Sequence, residues 1–113
     1  MATSFDRAVA RLIDTCRYVT TVHDLVTKWR IELTNGYILD LWFNESLGKY
    51  SYALVKENKR VLGWDNAPHH PGLANFPHHL HCADGSVESS PLSGNPDDDL
   101  EHIRIAIEAF LSA

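Results

Sequence analysis

The dipeptide Asn35-Gly36 constrains this chain more than any other feature. Asn and Gly readily take up the two positive-φ positions of a tight two-residue hairpin, and here they separate two runs of strand character. Before them, TKWRIELT (Thr27 to Thr34) puts Trp29, Ile31 and Leu33 on one side and Lys28, Arg30 and Glu32 on the other, the alternation of a half-buried strand. After them, YILDLWFN (Tyr37 to Asn44) is apolar on both sides except at Asp40, as expected of an interior strand. So short a turn joins only antiparallel neighbours, which commits the chain to an antiparallel sheet and excludes a purely helical fold.

The same reasoning extends the sheet in both directions. A turn at Glu45 to Gly48 leads into KYSYALVK (Lys49 to Lys56), where Tyr50, Tyr52 and Leu54 alternate with Ser51, Ala53 and Val55. A turn at Glu57 to Lys59 leads into RVLGWD (Arg60 to Asp65). Arg17 to Val26 is rich in Thr and Val without a clean period, which favours strand only weakly, and His79 to Cys82 is expected to return to the sheet. Phe5, Val9, Leu12, Ile13 and Cys16 recur at helical spacing, and Thr3 or Ser4 can cap a helix from about Ser4 to Cys16. At the far end Asn95-Pro96 places a capping residue before a proline at the first helical position. Three aspartates follow where they complement the helix dipole, and Leu100, Ile103, Ile107, Phe110 and Leu111 form an apolar stripe. The expected fold is one α+β domain over residues 1–113: an antiparallel β-meander of four to six strands with the N-terminal and C-terminal helices packed on one face. The other face is left for chemistry or partners.

Ten basic residues against fifteen acidic ones give a net charge of -5 with histidines neutral, the wrong sign for broad attraction to nucleic acid. Any RNA contact must therefore be local, and Lys49, Lys56, Lys59 and Arg60 in mid-chain leave room for a basic face. No apolar run approaches the roughly 20 residues that span a bilayer, and the opening MATSFDRAVARLIDTC lacks the core of a secretory signal. A cytoplasmic protein without membrane association is expected. In that reducing setting Cys16 and Cys82, which lack CxxC spacing, stay unpaired.

The segment from Gly63 to His81, GWDNAPHHPGLANFPHHLH, holds five of the seven histidines within thirteen residues, directly after an Asp at a strand end. Chemistry offers three readings. Two histidines can serve as general base and general acid in phosphodiester cleavage, one removing a 2′-hydroxyl proton and the other protonating the 5′-oxygen. That reading needs no cofactor, but it needs a cation such as Arg60 or Lys59 against the developing charge. Alternatively His79 and His81, at i and i+2 and so on one face of a strand, join His69 or Asp65 around zinc or a similar divalent ion. HxH is a weak signal, and no HExxH or CxxC spacing accompanies it. Or the histidines fasten a proline-rich loop to the sheet, with Asp65 or Asn66 taking backbone donors. If the two strand ends pair side by side, Asp65 and His69 approach His79 or His81, with at least two histidines on the order of 4 to 8 Å apart. Trp29, Trp42, Trp64, Tyr50 and Tyr52 are read first as packing residues.

The strand ending in WDNAPHH, the proline-containing loop and FPHHLH resemble the core motif of the TumE-type toxin family of prokaryotic toxin-antitoxin systems. The likeness runs back through the Asn-Gly hairpin and the KYSYALV strand, over roughly Thr27 to His81. The region before Thr27 does not match strongly, which leaves His23 without an assigned role. The resemblance implies a growth-inhibiting protein neutralised by a cognate antitoxin protein encoded beside it, with RNA cleavage the usual presumption for small toxins of this sort. It also implies functional roles for Asp65, His69, His70, His78, His79 and His81; a homodimer is left open. Two classes of function follow: a ribonuclease, metal-independent or metal-assisted, or a non-catalytic protein whose exposed sheet or loop engages an antitoxin or another target.

Overall fold

The computed structural model describes residues 3–113, and there Asn35 and Gly36 take φ values of 62° and 79°; the hairpin forms where its sequence predicts, but Thr34 joins the connection and makes it a three-residue loop rather than a two-residue one. It joins β2 (Trp29–Leu33) to β3 (Tyr37–Asn44) within a chain that begins with α1 (Ser4–Thr15) and β1 (Val19–Asp24). There follow β4 (Lys49–Lys56), β5 (Lys59–Asp65), β6 (His79–His81), β7 (Val87–Ser89) and α2 (Pro96–Ser112). The strands form one seven-stranded sheet in chain order, every neighbouring pair antiparallel. One strand more than expected is present because Val87–Ser89, too short to announce itself by periodicity, pairs with β6. The β4–β5 turn is also tighter than the three residues expected: Glu57 and Asn58 both hold positive φ, and Lys59 already belongs to the strand.

Register sorts the side chains onto two faces. Leu39 pairs with Leu54, Leu41 with Tyr52, Phe43 with Tyr50 and Tyr52 with Trp64, so these residues share one face, together with Ile31, Leu33 and Leu80. Ala8, Val9 and Leu12 of α1 and Leu100, Ile103 and Ile107 of α2 join them in a single core. Phe5 lies against Phe43 and Tyr52, and Tyr37 meets Phe110 edge-on, so both helices cover the same face, as expected. Tyr50 and Tyr52 stack at 4.9 Å, fully inside this layer, which makes them packing residues.

Each helix starts where its capping residue dictates. Thr3 and Asp6 exchange hydrogen bonds in a capping box, and the Asn95 side chain accepts from the Asp97 amide ahead of α2. Asp97 also pairs with Arg11 across the helices. Asp99 does more than start a helix: its buried carboxylate accepts from the amides of Ser93 and Gly94 and fixes the approach to α2. Both cysteines are free, Cys16 buried and Cys82 partly so. Among the described residues no helix is long and apolar enough to cross a membrane.

Among the described residues no helix covers the second face. Arg30, Asp40, Ser51, Ala53, Gly63, Asp65, His79 and His81 fall on it by register. Arg60 joins them through an irregularity: Leu54 pairs with Leu62 but Val55 with Arg60, so Val61 is an extra residue that turns Arg60 to this side.

Candidate functional site

β5 ends at Asp65 and β6 begins at His79, and the two residues are direct cross-strand partners; Gly63 and His81 form the next pair. Asp65, His79 and His81 therefore point the same way from adjacent strands. Their side chains meet. His79 Nε2 lies 2.9 Å from Asp65 Oδ1, His81 Nε2 lies 3.2 Å from Asp65 Oδ2, and the two Nε2 atoms are 3.1 Å apart. That is tighter than the 4 to 8 Å expected of an acid-base pair spanning a phosphodiester.

Local structure fixes each partner. The Ala67 amide donates to Asp65 Oδ1, orienting the carboxylate at the start of the loop. His79 Nδ1–H donates to the Pro77 carbonyl at 3.0 Å, which sets the ring's orientation and leaves its Nε2 facing the carboxylate. His79 is 2% exposed, whereas the side chains of Asp65 and His81 are 19% and 20% exposed and reach the surface. Burial holds His81 below the usual imidazole range; the Arg60 guanidinium pushes the same way, against the opposing pull of Asp65.

Arg60 comes this close because residue 63 has no side chain. A Cβ on Gly63 would stand 2.6 Å from Arg60 Cδ and 3.2 Å from its Nε, so the aliphatic stem of Arg60 lies directly across the glycine beside His81.

The site opens into a cleft of about 410 Å³, whose lining includes Trp42, Lys49, Ser51, Asp65, His69, His70, His79 and His81. The His70 ring is 4.8 Å from that of His79 and 6.1 Å from that of His81, both edge-on, so the loop returns a third imidazole to the mouth of the site. The sequence-predicted residues thus divide. Asp65, His79 and His81 converge, His70 stands beside them, and His69 lines the cleft from an exposed loop position. His78 turns the other way: its Nδ1 shares a hydrogen bond of 2.8 Å with the Tyr50 hydroxyl, and burial together with the Asp99 and Asp65 charges keeps that phenol protonated by raising its pKa. Lys59 pairs with Lys56 in the register that carries Tyr52 and Leu54, which puts it on the helix-bearing side, away from Arg60.

Trp42, Lys49 and Ser51 were not singled out as site residues. Trp64 is buried and Trp29 donates to Asp6, both as packing residues should, but Trp42 pairs with Ser51 on the open face and lines the cleft. The signal was its parity in YILDLWFN: Trp42 alternates with the core residues Leu39, Leu41 and Phe43 and shares its face with Asp40.

A family model described as Toxin TumE matches residues 6–111 of the chain, extending through both helices well beyond Thr27 to His81. No curated protein matches the chain, and no solved structure does.

Proposed function

The chain belongs to the TumE toxin family, and from that membership we propose that it is the toxin of a toxin-antitoxin module, cleaving RNA at the cleft beside Asp65. The observation that carries the reading is the convergence of Asp65, His79 and His81 in one cleft with His70 at its mouth and Arg60 at its side. Cleavage of RNA by its own 2′-hydroxyl forms a bond from that oxygen to phosphorus and breaks the bond to the 5′-oxygen. One proton leaves the attacking hydroxyl and one reaches the leaving oxygen, giving a 2′,3′-cyclic phosphate and a 5′-hydroxyl. The Asp65–His79–His81 cluster accepts the first proton and His70 donates the second; Arg60 supplies charge to the phosphoryl oxygens as they become more negative. Trp42 and Lys49 line the same cleft, offering a nucleobase a ring to stack on and a phosphate a mobile cation.

Membership of a toxin family of this kind implies an antitoxin as partner. A non-catalytic reading has its own support in the edge strand β1 and the turn that follows it, where Val22, Leu25 and Val26 are 36%, 40% and 94% exposed. Apolar residues at an unpaired edge suit a protein partner. The test is RNA cleavage by purified protein, with His70→Ala and His81→Ala as paired variants and growth arrest scored in parallel. Intact RNA from a protein that still arrests growth, or undiminished toxicity of the folded double variant, sinks the nuclease reading and favours binding.

A further inference from the structure

We infer that Asp65, His79 and His81 hold a divalent first-row transition-metal ion, with one coordination position open to the cleft. The inference deepens the nuclease reading by naming what occupies the centre of its site, and it rests on that reading only for what the ion would do, not for its binding.

The argument begins with protons. Three short contacts link the three side chains: His79 Nε2 to Asp65 Oδ1 at 2.9 Å, His81 Nε2 to Asp65 Oδ2 at 3.2 Å, and Nε2 to Nε2 at 3.1 Å. With Asp65 ionised, the first contact is a hydrogen bond only if His79 Nε2 carries a proton, and the second only if His81 Nε2 does. The third is a hydrogen bond only if one of the two nitrogens carries a proton and the other does not. With the carboxylate ionised, no placement of protons on the two rings satisfies all three. Either two N–H groups confront each other, or a lone pair confronts a carboxylate oxygen, in a place where His79 is almost wholly buried and such mismatches are costly.

A cation resolves the conflict, since it accepts all three lone pairs at once. Zinc and its neighbours bind imidazole nitrogen and carboxylate oxygen at about 2.0 to 2.2 Å, which sets donor atoms of one coordination sphere about 3.0 to 3.5 Å apart. The observed contacts of 2.9 to 3.2 Å, which use both carboxylate oxygens, lie close to that spacing, and one donor atom from each residue lies within 4.8 Å of the other two. The surroundings agree. A metal-bound imidazole normally donates its other N–H to a backbone carbonyl or carboxylate; His79 Nδ1 donates to the Pro77 carbonyl, and Asp65 is held by the Ala67 amide. Two imidazoles and one carboxylate are too few to close a structural site, and the exposed sides of Asp65 and His81 face the cleft, which is the arrangement of a site that keeps a position for a ligand. An ion there takes up the lone pairs that the empty cluster would offer to the 2′-hydroxyl proton, so in the loaded protein that proton passes to a solvent molecule in the cleft while the ion and Arg60 supply charge to the phosphoryl oxygens.

The full chain, stripped with a chelator and dialysed, is titrated with zinc by calorimetry and with cobalt(II) by visible absorption. One equivalent per chain is expected, with a cobalt spectrum of tetrahedral or five-coordinate type and a rise in the melting temperature of about 5 °C under saturating zinc. Asp65→Asn and His81→Gln each weaken zinc by more than about 100-fold, since even loss of an outer-shell partner costs 10- to 100-fold; His23→Ala and His102→Ala leave it unchanged. The cobalt spectrum of the wild-type chain decides the matter even if a variant fails to fold. Absence of zinc and cobalt binding to the wild-type chain, or binding that survives both ligand variants, overturns the proposal. RNA cleavage measured on the same samples separates the two ideas: a metal-loaded protein that leaves RNA intact upholds this site and removes the nuclease, whereas full-rate cleavage in chelator by a chain that binds no zinc removes this site and leaves the nuclease.

Discussion

Replacing Gly63 by alanine should silence Arg60 without unfolding the protein. The added methyl would lie 2.6 Å from Arg60 Cδ, where ordinary contact is 3.4–4 Å, so the arginine stem must withdraw by about 1 Å. Arg60 is exposed and free to swing outward, so the cost to the fold is small, within about 0.5 kcal/mol. A misplacement of that size in a charge-stabilising group costs on the order of 100-fold in rate, close to the effect of removing the group. We therefore expect Gly63→Ala and Arg60→Ala each to lower RNA cleavage by roughly 10- to 100-fold, and the double variant to be no worse than Arg60→Ala alone. The assay is kcat/KM on a short RNA for the four proteins of the cycle, with melting temperatures measured alongside. Losses that multiply in the double variant would show that Gly63 acts by some route other than Arg60; a melting temperature lowered by more than about 5 °C would show that the methyl disturbs the sheet itself.

Three further outcomes follow from the fold. Val26 is a β-branched residue at φ 71° on the β1–β2 turn, so Val26→Gly should raise stability by about 1 kcal/mol and the melting temperature by about 4 °C, and an unchanged midpoint would contradict that strain. Burial alone would raise the Asp40 carboxyl, but hydrogen bonds and charge from Arg30 and Lys28 prevail and hold it below its ordinary 3.8. Its contribution is complete above pH 3.8 and lost as the pH falls through the lowered folded value, so urea unfolding should find Asp40→Asn less stable by about 1 kcal/mol at neutral pH with the gap closing in acid. A gap that persists unchanged at pH 2 would refute the ionic account. Finally, a thiol reagent should modify Cys82 at least about tenfold faster than Cys16, whose thiol is buried and pushed up by desolvation; equal rates would mean that Cys16 is not shielded in the core.

The parts of the fold legible in the sequence are those set by local rules. Asn35-Gly36 carries its own turn, TKWRIELT and KYSYALVK carry their own faces, and Asn95-Pro96 carries its own helix start. β7 was hidden because three residues hold no period, and β1 showed only as a weak strand preference because its exposed Thr-rich face lacks contrast. Within the site, composition located the histidines but could not say which converge. That choice belongs to the register of β5 on β6, which pairs Asp65 with His79 and sends His78 toward Tyr50. Arg60 was proposed from charge alone; its approach to His81 depends on a bulge at Val61 and an empty Cα position at Gly63, neither of which is announced by neighbouring residues.

The pairing of Asp65 with His79 also separates what in this chain tolerates change from what does not. Residues 71–76 lie between His70 and the Pro77 carbonyl that orients His79, so their length and content can vary without moving the three converging side chains, provided that the strands re-enter in step. Insertion of a single residue inside β6 does the opposite: beyond the insertion every side chain changes sides, and His81 would be sent into the layer beneath the helices. A lineage can therefore refashion the roof of the cleft, and with it the range of molecules admitted, while the floor remains fixed by backbone hydrogen bonds.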